Sequence, residues 1–110
     1  MGLLLSARCE ACGYARDGLR LGGTHAQIEA HDVCHLEVYE APCCRALQSV
    51  ELFLGAPLPT PACEGCGQTF SVTPERRYRI STLKGEVLGG HACPRCRAAA
   101  LSFARAGTFL

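Results

Sequence analysis

Hydrophobic and polar positions change over short distances along this chain, which is typical of β-strands rather than long helices. Residues 33–39 and 47–54 mix β-branched and apolar side chains over strand-like lengths, and the leucines of 1–6 fit a first strand that packs inward. Residues 77–83, RYRISTL, alternate arginine with tyrosine and isoleucine before a Lys-Gly turn. The alanine-rich stretch 97–106 is the one helix candidate, although its place after a cysteine turn makes a strand equally plausible. The pattern predicts a small all-β fold with little helix.

A proline-rich segment divides the chain into two similar halves. Residues 57–61 hold three prolines in five positions, a density that resists helix and favours an extended linker. Each half opens with C-E-x-C-G, and aligning Cys44 with Cys96 brings an arginine and an alanine into register after each cysteine. This is the signature of an internal repeat. We therefore predict two consecutive modules, 1–56 and 62–110, joined by the linker.

The composition indicates that the fold depends on its cysteines. The chain has nine cysteines in 110 residues, no tryptophan and few other aromatic residues, so it buries little apolar surface for its size. No apolar run is long enough for a signal-peptide core or a membrane span, and we expect a cytoplasmic protein with no membrane partner. Thiols stay reduced in that compartment, and an odd cysteine count would leave a disulfide framework incomplete. Metal binding is therefore the better interpretation.

The second half carries the clearer metal motif. Cys63-x-x-Cys66 and Cys93-x-x-Cys96 are separated by 26 residues, enough for a hairpin and a third strand. Each C-x-x-C turn points two sulfurs at one place, and two such turns supply the tetrahedron that Zn²⁺ prefers. Buried or redox-active cysteines without metal are the alternative interpretation. We predict a zinc site formed by these four residues.

The first half has an irregular motif. Cys9 and Cys12 form a full pair, but the second turn reads A-P-C-C, with alanine at position 41 where a cysteine is expected. We predict that Cys44 is a ligand and that Cys43 takes the fourth place. Other candidates for that place are Cys34, His25, His31 and His35.

The cysteine turns resemble those of zinc ribbons, three-stranded β modules held by two cysteine turns. The first half is similar to small bacterial proteins made of two consecutive ribbons, in register at Tyr39, Cys44, Ser49 and Val50. Ala41 departs from that pattern, which has a cysteine there. The resemblance implies a metal-stabilised all-β fold with two zinc sites. The turns CEACGY and CPRC also resemble those of rubredoxin, which holds iron.

The charge distribution bears on nucleic-acid binding. Residues 1–55 hold four basic and seven acidic residues, a formal −3, whereas residues 56–110 hold seven and three, a formal +4. Arg76, Arg77 and Arg79 make a basic stretch in which Tyr78 is able to stack on a base. Two zinc-tetrathiolate sites, each adding about −2, would lower the net charge from +1 to about −3. An amphipathic strand with inward Tyr78 and solvated arginines is therefore the favoured interpretation.

These observations rank the candidate functions. The chain has no G-x-S-x-G, P-loop or H-E-x-x-H motif. We expect a non-enzymatic protein with structural four-cysteine zinc sites that acts as an interaction or adaptor module for another protein. The alternatives are single-stranded nucleic-acid binding through the second module, rubredoxin-like electron transfer with iron, and metal chemistry at an open first site.

Overall fold

Antiparallel strands make up most of the regular structure in the computed structural model, which describes residues 2–22, 34–53, 57–82 and 84–109. Within these residues the one helical element is a 3-10 turn, and no helix has the length and apolarity that a membrane span requires. The small all-β fold expected from the sequence is confirmed. In chain order the elements are β1 Gly2–Cys9, β2 Ala15–Leu21, β3 Cys34–Ala41, β4 Ala46–Phe53, the 3-10 turn Pro74–Arg76, β5 Ser81–Thr82, β6 Gly85–Glu86 and β7 Leu101–Phe109.

The main sheet joins the beginning of the described chain to its end. Its strand order is β2-β1-β7, and β1 pairs antiparallel with β7 from Gly2↔Phe109 to Cys9↔Leu101. Leu101 and Phe103 alternate on one face of β7 and are buried, which is the period-two pattern of a half-buried strand. The stretch 97–106, for which helix and strand were equally plausible, therefore leads into a strand.

The β3-β4 hairpin forms a second sheet between these two ends of the chain. It meets the main sheet through a bridge between Gly22 and Leu36, and through Ser49, whose hydroxyl bonds both the backbone N–H and the carbonyl of Arg20. Further along the same edge of β3, the N–H of Tyr78 donates to the carbonyl of Val38. The hairpin is thus held by segments that come before and after it in the sequence.

The segment 77–80 follows the amphipathic pattern predicted for it. Ile80 is buried, Tyr78 is half-buried, and Arg77 and Arg79 are exposed. The Tyr78 hydroxyl donates to the carbonyl of Ala92 at 2.6 Å, and burial raises the Tyr78 pKa. The tyrosine therefore serves the packing of the fold.

Two apolar cores form, and each contains cysteines. The larger core includes Leu5, Leu19 and Val38 together with Cys9 and Cys93. A smaller core packs Tyr39, Ala41, Val50, Phe70 and Val72 around Cys63. Because a buried thiol behaves as a small hydrophobe, the first cysteine of each regular turn is part of the packing as well as a candidate ligand.

The strand pairing crosses the division predicted from the sequence. β1 lies in the predicted module 1–56 and β7 in the predicted module 62–110, yet they are neighbours in one sheet. The β3-β4 hairpin is instead enclosed by segments that come before and after it. The boundaries at 57–61 therefore separate parts of the chain that pair with each other.

Candidate metal centres

The three regular cysteine turns share one backbone conformation. In each, the N–H of the first cysteine donates to a carbonyl five residues later, and its own carbonyl accepts from the residue after the second cysteine. These two bonds fold the chain so that both sulfurs leave the same side of the turn. The bonds to the first cysteine's carbonyl come from Gly13 to Cys9 at 3.0 Å, Gly67 to Cys63 at 2.8 Å and Arg97 to Cys93 at 2.9 Å.

The residue after the second cysteine takes a left-handed conformation in all these turns. Gly13 and Gly67 have φ values of 80° and 79°, as their positions in C-E-x-C-G predict. Arg97 adopts the same conformation with φ 66°, although a side chain makes it less favourable. Arg45, after Cys44, has φ 49°.

The irregular turn at residues 41–46 shares two features with the other three, the left-handed residue after its last cysteine and the pairing of its first position across the turn. Ala41 pairs with Ala46 across it, as the first cysteine does in each regular turn, and Ala41 is fully buried. The backbone therefore agrees with the sequence alignment of Cys44 with Cys96. Ala41 stands where the first cysteine belongs, and the missing sulfur is supplied by Cys43, two positions further on.

Eight cysteines come together in two groups of four. The outer cluster consists of Cys9, Cys12, Cys93 and Cys96, and the inner cluster of Cys43, Cys44, Cys63 and Cys66; within each, all four sulfurs lie within 4.8 Å of one another. In the outer cluster the Cys9–Cys96 and Cys12–Cys93 sulfurs are 3.6 Å apart. In the inner cluster Cys66 and Cys43 are 3.4 Å apart. A zinc ion about 2.3 Å from four sulfurs needs sulfurs about 3.8 Å apart, so both clusters fit a tetrahedral metal.

The eight residues are those expected from the sequence, but the expected grouping is wrong. The sequence predicted that the two turns of each half share a metal, so that Cys63 and Cys66 would pair with Cys93 and Cys96. The structure instead combines the first cysteine turn with the last, and the two middle turns with each other. The reason is the β1–β7 pairing, which brings Cys9 opposite Leu101, just after the last cysteine turn.

The other candidate ligands include one described side chain, that of His35, which is not in either cluster. His35 is exposed and lies 3.5 Å from the Glu37 carboxylate. Cys34 begins β3, where its backbone pairs with Phe53, and its side chain lies outside what the structure describes. His25 and His31 also lie outside the described residues.

Backbone N–H groups favour the thiolate forms of Cys63 and Cys93. Gly65 donates to the Cys63 sulfur at 3.3 Å, and Arg95 and Cys96 donate to the Cys93 sulfur at 3.4 and 3.5 Å. The N–H of Cys66, then that of Gly65, lowers the Cys63 pKa to about 7 against the opposing effect of burial. Burial also opposes ionisation of Cys93, but its two N–H donors lower that pKa to about 7.

In the absence of a metal, Cys43 and Cys44 hold their protons more tightly than a free thiol, because both have raised pKa values. Hydrogen bonds with Cys66 and Cys63 raise the Cys44 pKa to about 12, and burial raises the Cys43 pKa. The inner cluster thus combines Cys63, which ionises readily, with Cys43 and Cys44, whose protons a competing cation has to displace. A metal ion supplies that competition, so binding is expected to release protons.

Gln48 and Tyr14 hold the turns in place from outside the clusters. Gln48 is buried; its Oε1 accepts from the N–H of Glu64 at 3.0 Å and its Nε2 donates to the carbonyl of Ala62 at 3.1 Å. The buried Tyr14 hydroxyl accepts from the N–H of Leu47 at 2.9 Å, linking the first cysteine turn to β4. Sequence analysis missed both, because a single glutamine or tyrosine in a strand-rich chain carries no metal signal.

Gly65 lies close to two sulfurs of the inner cluster. A Cβ at this position would lie 3.1 Å from the Cys44 sulfur and 3.7 Å from the Cys63 sulfur. The equivalent position in the outer cluster is Ala11, so the motif alone does not show that glycine is needed. The crowding comes from Cys44 across the cluster.

We expect Gly65→Ala to weaken metal binding at the inner cluster by about tenfold, the lower end of the effect of changing a residue that supports a metal ligand. The added methyl group pushes the Cys44 sulfur away from the tetrahedron. Chelator competition, with the metal remaining on each chain counted by mass spectrometry, measures this. Gly89→Ala is the matched control, since nothing lies within 4 Å of a Cβ there. Equal affinity in the two variants would show that the inner cluster tolerates the crowding.

The geometry supports metal binding without identifying the metal. Each cluster offers four sulfurs, and a metal held by all four has no open position for water or substrate. Comparisons of the chain with protein-family models, curated proteins and solved structures find no match. The cysteine geometry is therefore the basis on which its function has to be inferred.

Proposed function

We propose that this is a non-enzymatic zinc-binding protein in which two structural four-cysteine sites hold the fold together and present a surface to a partner protein. The two four-sulfur clusters carry the proposal. Sites closed by four protein ligands are typical of structural zinc, whereas catalytic zinc keeps a position for water. The irregular turn, considered from the sequence as part of an open, reactive centre, belongs to a cluster with four sulfurs within reach of one metal.

The position of the clusters supports a structural role. The outer cluster joins the β1-β2 turn to the turn that precedes β7, and the inner cluster joins the β3-β4 turn to residues 63–66. Each site therefore connects segments that are far apart in sequence, where a cross-link most reduces the freedom of the unfolded chain. Structural zinc contributes on the order of 10 kcal/mol to small domains of this kind.

Zinc is the proposed metal, and iron in a rubredoxin-like site is the alternative. The test is elemental analysis with an absorption spectrum on untagged protein purified without air. We expect two zinc ions per chain and no visible colour. Iron with visible absorption would replace the structural proposal with electron transfer. One metal per chain would contradict the proposal that both clusters are filled.

A reducing compartment such as the cytoplasm is the proposed location. Both clusters need free thiolates, and an oxidising compartment would convert neighbouring cysteines to disulfides. Elemental analysis of protein recovered from the reduced and the oxidised compartments of one host would test this. Full metal loading only in the reduced compartment is the expected result.

The partner is proposed to be a protein that contacts exposed apolar side chains. Phe53, at the end of β4, is 49% exposed, and Leu58, in the proline-rich segment, is 65% exposed. Large apolar residues of this kind supply much of the binding energy at protein interfaces. Affinity capture from the native host, with the unmodified protein and with Phe53→Ser/Leu58→Ser as baits, tests these two side chains. Val87→Ser is the control, because Val87 is similarly exposed at 42% but lies in another segment. A partner captured equally by all three proteins would exclude Phe53 and Leu58 as the contact.

A further inference from the structure

A cleft of about 300 Å³ lies beside the outer cluster and is lined mainly by charged side chains. Four arginines face it from two different segments. Arg76, Arg77 and Arg79 come from the 3-10 turn and the residues after it, and Arg97 follows the last cysteine turn. Two carboxylates, Glu40 and Glu75, also line the cleft, so its formal charge is 4 − 2 = +2.

Three of these arginines are positioned by bonds that use only part of their hydrogen-bonding capacity. Arg97 donates to Glu40 at 2.6 Å, and Arg76 donates to the carbonyl of Ser71 at 2.9 Å. Arg77 lies 3.7 Å from the Glu37 carboxylate. A guanidinium carries five N–H donors in a planar arrangement, so each of these side chains has donors left for a ligand.

Arg79 differs from the other three arginines. It is exposed, lines the cleft, and makes no ion pair or side-chain hydrogen bond with any residue in the part of the chain that the structure describes. Nothing in the packing of the described residues requires a cation there. Because Glu40 already pairs with Arg97, the two carboxylates leave the cleft with a net positive charge that a bound anion would offset.

The aromatic side chains of the cleft are already occupied. The Tyr78 ring packs against Phe103 with ring centroids 6.0 Å apart, and its hydroxyl donates to Ala92. His91 packs edge-to-face on Phe103 at 5.0 Å and bonds the carbonyl of Val87 through Nε2. These contacts fix the floor of the cleft and leave the guanidinium groups as its recognition elements. The cleft is therefore suited to an oxyanion rather than to the stacking of a base.

We propose that this arginine cleft binds the phosphate group of an anionic ligand. Guanidinium groups match the oxygens of phosphate bidentately, and arginine is favoured wherever such planar recognition is needed. The phosphate belongs either to a small molecule or to the backbone of a single-stranded nucleic acid, which share this chemistry. The site is separate from the metal centres and does not depend on the metal being zinc.

The test measures binding of two probes to the metal-loaded protein at physiological salt. Inorganic phosphate is titrated by calorimetry, and a short single-stranded oligothymidylate is followed by fluorescence anisotropy. The double variant Arg77→Gln/Arg79→Gln should bind at least about tenfold more weakly to whichever probe the unmodified protein binds, because two charge-assisted contacts are removed. The single variant Arg79→Gln should show part of this loss with an unchanged fold, since that side chain has no described partner.

Arg8→Gln is the matched control, because Arg8 is an exposed arginine on β1 that pairs with Asp17 outside the cleft. It should bind within about twofold of the unmodified protein, as expected for a surface charge outside a binding site. Binding of phosphate alone would identify a small-molecule ligand, and binding of the oligonucleotide with a steep salt dependence would identify a nucleic-acid backbone. The proposal would be overturned if the protein bound neither probe, or if Arg8→Gln weakened binding as much as the cleft variants do. Tighter binding of a polyglutamate peptide than of either probe would also overturn it.

Discussion

The double variant Cys12→Ser/Cys96→Ser should keep one tightly bound metal ion per chain, whereas Cys66→Ser/Cys96→Ser should keep none. In the structure, Cys12 and Cys96 belong to the same cluster, so changing both leaves the inner cluster complete. Cys66 and Cys96 belong to different clusters, so changing both leaves two sites with three sulfurs each. All three residues are exposed, and serine in their place removes little packing.

Native mass spectrometry after a chelator challenge gives the number of metal ions that each variant retains. The chelator is chosen to remove metal from a three-sulfur site and to leave the unmodified protein fully loaded. If the two halves of the chain each closed their own site, Cys66 and Cys96 would share a metal and the two variants would exchange results. Retention of one metal by Cys66→Ser/Cys96→Ser would therefore contradict the nested arrangement.

The loss of the outer metal should also weaken the contact between β1 and β7 in the main sheet. β1 and β7 are held by their backbone pairing and by the turn that Cys93 and Cys96 form against Cys9 and Cys12. Hydrogen exchange in Cys12→Ser/Cys96→Ser should therefore rise in both strands, while the β3-β4 hairpin stays protected. Replacement of the buried Cys93 should be more damaging, because it removes core packing as well as a ligand.

The sequence revealed the cysteine turns but not how they combine. The conformation of a C-x-x-C turn is local, so spacing and a following glycine predict it well, as φ values near 80° at Gly13 and Gly67 show. The choice of partner turn depends on the pairing of β1 with β7, whose residues are up to 107 positions apart in the Gly2↔Phe109 pair. Nothing in the local pattern of either strand specifies that contact. The internal repeat favoured two consecutive modules, and the long-range pairing gave a nested arrangement instead.

The last strand is a single element whose secondary structure the local sequence did not determine. Residues 97–106 are rich in alanine, which favours helix, and the sequence left helix and strand open. Burial of Leu101 and Phe103 on one face, with β1 as the neighbour, favours the strand. The propensity of the alanines is small compared with the free energy of burying these two side chains. Gly65 is a similar case, since the sulfur that crowds this position belongs to a cysteine twenty-one positions away.

Restoring the regular cysteine turn should rescue a protein that has lost Cys43. Residues 41–46 read Ala-Pro-Cys-Cys-Arg-Ala and residues 93–98 read Cys-Pro-Arg-Cys-Arg-Ala, so they differ at two positions. Cys43→Arg should lose the inner metal, because it leaves three sulfurs. Ala41→Cys/Cys43→Arg makes the two segments identical, and we expect this variant to bind two metals again.

The rescue follows from the burial and backbone conformation of position 41. Ala41 is fully buried in the core that contains Cys63, and the first cysteines of the regular turns, Cys9, Cys63 and Cys93, are buried as well. Ala41 also makes the same cross-turn pairing, and the left-handed residue after Cys44 is already in place at Arg45. A sulfur at position 41 therefore enters the cluster from the side that a first cysteine normally occupies.

Ala41→Ser/Cys43→Arg separates the effect of the sulfur from that of the added volume, since serine is close to cysteine in size and is a poor zinc ligand. Metal counts and thermal unfolding of the three variants give the comparison. The cysteine variant should regain the second metal and most of the stability on the order of 10 kcal/mol that a structural zinc contributes, and the serine variant should not. A cysteine variant that stays at one metal would mean that the adjacent pair Cys43-Cys44 reaches the cluster by a backbone path that the regular turn does not share.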